Sequence, residues 1–162
     1  MEREMRRRRQ QLGREECERI LRNATSGVLA VCGVDGEPYA VPLSFVYDDG
    51  MIYFHSAVKG HKLEVLAENS KVSFCVVEKD DVVPEEYTTY FRSVIAFGTA
   101  RIIGDGERKL ATLRLLADKY APGETQRREE EIDKGLNHLV MVEISVERIS
   151  GKEAIELVRA RK

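Results

Sequence analysis

The chain has 162 residues, of which 43% are hydrophobic and 33% are charged, and its formal net charge is −2. This length and composition indicate one globular domain with its own core and exclude a disordered chain. The small net charge gives no general reason to expect a nucleic-acid partner. No apolar run approaches the about 20 residues that cross a bilayer, and no apolar segment follows the N-terminal charges as in a secretory signal. We therefore expect a cytoplasmic protein without membrane association.

The N-terminal segment is strongly basic, with arginine at each of positions 6–9. Such a run can contact phosphates or an anionic partner, or it can be a solvated and partly frayed end. We expect residues 1–13 to be a flexible basic N-terminus. Apolar residues then recur at helical spacing and predict a short amphipathic helix: Cys17, Ile20, Leu21 and Ala24.

Short β-strands separated by tight turns dominate the next part of the chain. Residues 25–32 read as a buried strand, and the Asp-Gly pair at 35–36 predicts a hairpin turn. Residues 39–47 alternate between two faces, the turn at 48–50 follows, and residues 51–56 form the third strand. Residues 63–69 suit a short helix, residues 72–77 a strand, and residues 78–87 a polar loop.

The C-terminal half continues with a long β run over residues 88–103, which Gly98 interrupts with a bend or bulge. Apolar residues within 110–120 predict a further helix that the Pro-Gly pair at 122–123 ends, and residues 126–135 read as a charged, mobile connection. A final strand begins near His138. Strands joined by tight turns favour an antiparallel barrel, and no GxGxxG supports a Rossmann fold. We therefore predict a mainly β domain over residues 14–150, with a C-terminal tail over residues 151–162.

No metal site is expected, because Cys17, Cys32 and Cys75 are far apart and form no CxxC pair. The chemistry-bearing stretch is instead residues 53–63, where a strand, a small-residue turn and a helix start follow one another. Lys59, His61 and Lys62 lie near that helix start, where free amides and the helix dipole favour a phosphate. The alternative is that both lysines are ordinary surface residues.

His55 also has two interpretations. It ends a strand beside same-face aromatic and apolar neighbours, so it can be a packed structural histidine. Alternatively, it lines a ligand pocket, where its ring donates a hydrogen bond or a proton near neutral pH.

Four segments, taken in order and spacing, resemble the nitroimidazole-resistance branch of the pyridoxamine 5'-phosphate oxidase-like flavoproteins. They are residues 36–47 (GEPYAVPLSFVY), 52–57 (IYFHSA), 60–63 (GHKL) and 93–100 (SVIAFGTA). The resemblance implies a split β-barrel that forms a homodimer with FMN at the subunit interface. It also implies that His55 is the catalytic candidate. The residues that it implies contact the cofactor are Val41, Pro42, Leu43, Ser44, His55, Ser56, His61, Lys62, Ser93 and Val94.

The resemblance also guides the expected function. The vitamin-making oxidases usually carry Arg-Lys at the phosphate position and a C-terminal Arg-x-His segment, whereas this chain has His61-Lys62 and ends in LVRARK. We therefore expect an FMN-dependent oxidoreductase that acts on a small molecule and is nitroreductase-like or oxidase-related. We do not expect it to oxidise pyridoxamine phosphate itself. The alternatives are a flavin-storage or sensor module without turnover, and a haem-binding split-barrel protein with His55 or His61 as ligand.

Overall fold

The computed structural model describes residues 4–161 and contains one seven-stranded antiparallel sheet. In spatial order the strands run β2-β1-β5-β6-β7-β4-β3. Their bounds are β1 Gly27–Cys32, β2 Pro38–Leu43, β3 Val46–Asp48, β4 Met51–Ala57, β5 Lys71–Val83, β6 Thr88–Ile103 and β7 Leu139–Glu153.

The sheet rolls into a barrel because its two outermost strands are consecutive in the chain. β2 ends at Leu43 and β3 begins at Val46, so only Ser44 and Phe45 join opposite edges of the sheet. Three Cα–Cα steps span at most about 11 Å, which forces the two edges together at this point. The predicted antiparallel split β-barrel with short helices is confirmed, and we call residues 44–45 the seam.

The main core fills the barrel interior, where β-alternation sends one face of each strand inward. Its fully buried residues include Leu29, Phe45, Phe54 and Phe74. Helix α1, Arg14–Asn23, adds its predicted apolar stripe, with Ile20 and Leu21 completely buried. A second, smaller core lies on the outer face of β4 and β7 and includes Val46, Tyr53, Ile103, Leu113, Leu116, Ile132 and Met141.

Helices α3, Glu107–Tyr120, and α4, Thr125–Gly135, supply the cover of that second core. Helix α2, His61–Glu68, connects β4 to β5, and helix α5 spans Ile155–Ala160. No helix within residues 4–161 is long and apolar enough to span a membrane.

Gly98 marks the predicted break in the long strand, because the register of β6 against β7 shifts between Phe97 and Gly98. A Cβ added at Gly98 would lie 2.1 Å from the backbone oxygen of Ser145. Only a residue without a side chain allows the two strands to approach this closely. The bulge is therefore confirmed and has a steric cause.

Two segments differ from the sequence prediction. The expected polar loop at 78–87 is mostly strand, since β5 runs on to Val83 and pairs with β6 as a two-stranded hairpin. The β5 half of that hairpin is largely exposed and the β6 half is half-buried throughout, so its sequence carries no alternating apolar signal. The expected mobile connection at 126–135 is helix α4, in which Ile132 alone is buried.

The two ends are more ordered than the predicted boundaries suggest. Residues 1–3 and 162 lie outside the described residues, but Gln10 and Leu12 are buried within the segment expected to be flexible. At the other end β7 continues through Glu153, and α5 follows. Leu12 N donates to Gly151 O at 3.0 Å, so the two ends are packed against each other.

Candidate functional site

The outer face of β4 carries His55, while Phe54 and Ser56 on either side of it are buried. Successive strand residues point to opposite faces, so His55 and Ser56 do not share one surface. The His55 side chain is exposed and lines a cavity, and this placement favours the pocket interpretation over the packed structural one.

That cavity has a volume of about 600 Å³ and lies between the barrel and helices α3 and α4. Ser44 from the seam and His55 from β4 are its polar groups on the barrel side. The wall is mainly apolar and comes from Leu113, Leu116, Ala117, Tyr120, Ile132 and Leu139. A pocket of this size, with few convergent polar groups, is typical of small-molecule sites. We call it the α3–α4 pocket.

Tyr120 fixes the position of the seam beside this pocket. Its hydroxyl accepts the Phe45 N–H at 2.9 Å and can donate to the Thr25 carbonyl at 2.6 Å. The neighbouring Lys119 donates to the Ala24 carbonyl at 2.5 Å and lies 4.2 Å from the centre of the Phe45 ring. Burial lowers the pKa of Lys119 to about 8. The C-terminal end of α3 is therefore tied to the chain segment that carries Ser44.

The charges at the pocket mouth are balanced in sign. Arg127, Arg128, Glu124 and Glu131 line it. Arg128 is bound by Asp118 and Glu129, and Lys134 binds Glu131. The two other charged residues, Arg127 and Glu124, carry opposite charges. The pocket mouth therefore has no net charge to select an ionic ligand.

A buried ion network supports the floor of the second core. Glu143 on β7 is almost fully buried and accepts hydrogen bonds from Arg101, at 2.6 Å, and from Arg108. Burial raises the pKa of Glu143, but the two guanidinium hydrogen bonds outweigh burial and leave the pKa below its ordinary value. Burial also raises the pKa of the nearby Tyr53 hydroxyl. These groups hold α3 against the sheet.

The N-terminus of α2 begins directly after β4, as the sequence predicts. Gly60 precedes it with φ 148°, and Leu63 N and Glu64 N donate to Gly60 O. The amides of His61 and Lys62 come before these bonds and remain available. His61 packs edge-on against Tyr39 with 4.8 Å between ring centres. Among the described residues the Lys62 ammonium has no hydrogen-bond or ion-pair partner, and Lys59 is exposed.

The remaining predicted cofactor residues divide between the two faces of the barrel wall. Val41, Leu43 and Val94 pack toward the main core, so only their backbone faces a ligand outside the barrel. Pro42 is exposed, and Ser93 is half-buried on the outward-facing side of β6.

Ser93 and His55 are far apart within one chain. Ser93 pairs with Lys152 and His55 pairs with Met141, both on β7. The path along β7 between these two partners is about 36 Å at the usual rise per residue. Ser93 is also not among the residues that line the α3–α4 pocket.

Ser56 Oγ provides a test of whether a polar ligand fits near α2. The side chain is 4% exposed, and its hydroxyl has no hydrogen-bond partner in the described part of the chain. A buried hydroxyl without a partner costs free energy, so such a group usually meets a ligand or water. Together with the free α2 amides and Lys62, it fits a phosphorylated cofactor with a polar chain. Within residues 4–161 no group of three His, Cys, Asp or Glu side chains is placed to hold a metal ion.

Comparison with known proteins identifies the family. The sequence profile described as pyridoxamine 5'-phosphate oxidase matches residues 13–153. The chain belongs to this family. The matched range contains strands β1 to β7, helices α3 and α4, and the start of α2.

Relatives of this pyridoxamine 5'-phosphate oxidase family protein include a reductase. A 5a,11a-dehydrotetracycline/5a,11a-dehydrooxytetracycline reductase from Streptomyces rimosus is 36% identical over 93 residues. The match covers 55% of this chain and 63% of the relative, so the chain spans less than two thirds of that reductase.

Two crystal structures are similar over most of their length. One is a candidate 5-nitroimidazole antibiotic resistance protein from Bacteroides thetaiotaomicron, with 22% identity, a TM-score of 0.74 and coverage of 88% of this chain and 86% of that chain. The other is an FAD-binding protein from Mesorhizobium loti, with 28% identity, a TM-score of 0.63 and coverage of 89% and 96%. The first likeness shows the shared barrel fold.

The helical wall of the pocket is not evident from the sequence. The spacing of Leu113 and Ala117 predicts a helix, but it gives no sign that this helix packs beside His55. The wall residue Ile132 lies in the segment expected to be mobile. A single buried apolar residue in a charged helix is too weak a signal to place it.

Proposed function

We propose that this chain is a flavoprotein oxidoreductase that binds FMN and acts on a small, mainly apolar molecule. The observation that carries the proposal is the α3–α4 pocket, which sets His55 and Ser44 against an apolar wall. The α2 N-terminus with its free amides begins a few residues beyond His55. Family membership, the reductase relative and the FAD-binding structure support flavin chemistry.

The cofactor phosphate would be held by the first amides of α2 and by the ammonium of Lys62. A helix N-terminus favours an anion, and a charged side chain adds a strong hydrogen bond. FMN, rather than a larger flavin, is proposed because this arrangement offers a single phosphate position. When bound, a flavin supplies hydride and electron transfer.

The protein residues would position the substrate and manage protons. The apolar wall of α3 and α4 excludes water from the bound molecule. His55 would donate a hydrogen bond or a proton to a polar atom of that molecule. Ser44 offers a second hydrogen bond at the same side of the pocket. The balanced charges at the mouth favour a neutral substrate.

We further propose that two chains form a homodimer with the cofactor between them. Ser93 is too far from His55 within one chain, so a contact with the same cofactor needs Ser93 of a second copy. The outer face of β2, β1, β5 and β6 also presents neighbouring apolar residues, of which Val77 is 60% exposed: Pro42, Val28, Cys75, Ile95 and Val77. A face of this kind is typical of an association surface.

The first experiment is the visible spectrum and mass of the group that copurifies with the protein. The proposal expects flavin absorption and the mass of FMN, with bleaching when NADH or NADPH and a small acceptor are supplied. FAD or a deazaflavin would refute the FMN assignment alone. A haem spectrum would refute the flavin proposal, and tight FMN without reduction by either donor would favour a storage or sensor role.

The dimer is tested separately by light scattering at micromolar concentration. Two copies of the 18.4 kDa chain are expected. A clean monomer that retains flavin and activity would refute the shared site.

A further inference from the structure

The four consecutive arginines at positions 6–9 line an open cavity of about 440 Å³. Gln10 and Ile155, the first residue of α5, complete its lining. The cavity uses none of the residues assigned to the flavin or the substrate. We call it the arginine cavity.

The segment that carries these arginines is held in place. The Gln10 side chain is 3% exposed; its amide nitrogen donates to Glu153 O at 2.8 Å, and its amide oxygen accepts from Arg7 at 3.4 Å. Gln11 forms a β-bridge with Lys152, and a 3-10 turn spans Arg8–Gln10. A run of like charges is normally disordered because the charges repel one another. Here the anchors hold four consecutive arginine residues beside one space.

Within residues 4–161, one of these four arginines has an acidic partner. Arg8 is paired with Glu4. Arg6 and Arg9 have no acidic or hydrogen-bond partner among residues 4–161, and Arg7 contacts only the neutral amide of Gln10. This concentration of charge stands out because the whole chain has a net charge of −2. An anion bound in the cavity would offset the repulsion that the anchors impose.

We propose that the arginine cavity binds a small phosphorylated molecule, specifically a nucleotide with at least two linked phosphates. The planar guanidinium group forms paired hydrogen bonds with phosphate oxygens, and several unpaired groups suit more than one phosphate. The cavity volume falls in the range of small-molecule sites, and Ile155 gives an apolar wall for a sugar or base. A nucleic-acid duplex would instead need an extended basic stripe.

The test uses the full-length protein as purified and titrates it with ADP and, in parallel, with adenosine by calorimetry. In about 50 mM salt, where screening is modest, ADP should bind and adenosine should not. The variant R6Q/R9Q should weaken ADP binding by about tenfold or more, as expected for the loss of charge-assisted hydrogen bonds. Flavin content and melting temperature should not change, because both side chains are exposed.

The matched control is R14Q/R22Q, which removes the same two charges from the exposed side of α1. Arg14 and Arg22 are both paired with Glu18 and do not line the cavity. ADP affinity should stay within about twofold of wild type in this control. Equal weakening in both double variants would show a general charge effect and overturn the proposal.

A second readout needs no variant. Hydrogen exchange of residues 4–12 should slow when ADP is added and should not slow with adenosine. The proposal is overturned if wild-type protein shows no ADP binding and no such protection at about 1 mM ADP. It is also overturned if a short DNA or RNA strand binds through the same arginines and displaces ADP, since the site would then be a nucleic-acid surface. These outcomes are independent of flavin content and turnover, so they leave the proposed oxidoreductase function untouched.

Discussion

Replacing His55 with Ala should separate a functional histidine from a structural one. The side chain is exposed on the outer face of β4, so its loss creates no buried cavity. Exposed substitutions of this kind usually change the free energy of unfolding by less than about 0.5 kcal/mol. For a domain of this size that corresponds to a shift in melting temperature of roughly 2 °C or less.

The neighbouring Phe54 provides the comparison for stability. It is fully buried in the barrel core, and Phe54→Ala should cost about 3–5 kcal/mol. The two substitutions are adjacent in the strand and differ in the face that they occupy. A contrast between them therefore reports which face of β4 belongs to the core.

The functional part of this prediction is measured on the same His55→Ala preparation. Flavin stoichiometry should be retained, while kcat/KM for a reducible acceptor should fall by about tenfold or more, as for one lost hydrogen bond to a bound molecule. Melting curves and flavin reduction rates are the assays. A large drop in melting temperature with unchanged specific activity in the folded fraction would refute the pocket role of His55.

Three further substitutions test other parts of the structure. Lys62→Ala should weaken FMN binding by about 1.5–3 kcal/mol, whereas Lys59→Ala should have little effect. Equal FMN affinities of the wild type and Lys62→Ala, measured by flavin fluorescence titration, would contradict the phosphate assignment. Gly98→Ala should lower stability by about 1–3 kcal/mol because its Cβ meets a β7 carbonyl oxygen. Gly104→Ala, with no atom within 4 Å of the added Cβ, should not, and chemical denaturation compares the two. Because the pKa of Glu143 is lowered in the folded protein, its ionised form adds stability at pH values above the ordinary 4.5 and loses it as the pH falls through the folded pKa. Glu143→Gln should therefore show a smaller loss of stability on acidification, and an unchanged acid profile would contradict this.

The barrel was predictable because most of its strands carry two-residue alternation and are separated by turn residues. Asp49 and Gly50 take positive φ values at the β3–β4 turn, as the sequence indicates. The seam could be predicted only partly from the sequence. The sequence shows continuous alternation over residues 39–47, but the break at Ser44 arises because the chain there passes from one edge of the sheet to the other.

The α2 start could be predicted from local sequence, whereas the pocket could not. Gly60, His61 and Lys62 are adjacent in the chain, so a turn followed by a helix necessarily groups them. His55 meets the wall of α3 and α4 only through tertiary packing, and α4 is so polar that only Ile132 is buried. Its sequence resembles a solvated linker, since intrinsic propensity and patterning are weak there.

The position of β7 in the sheet also determines when the barrel can form during biosynthesis. β7 pairs with both β6 and β4, so β4 lacks its main partner until β7 has been made. About 80 residues separate the end of β4 from the start of β7, which at ordinary translation rates is roughly 4–16 s of synthesis. During this interval the apolar residues Ile52 and Phe54 belong only to the small β3–β4 hairpin, which is marginally stable by itself. The nascent chain is therefore exposed to aggregation until its last strand leaves the ribosome, and chains arrested before residue 139 should remain sensitive to protease.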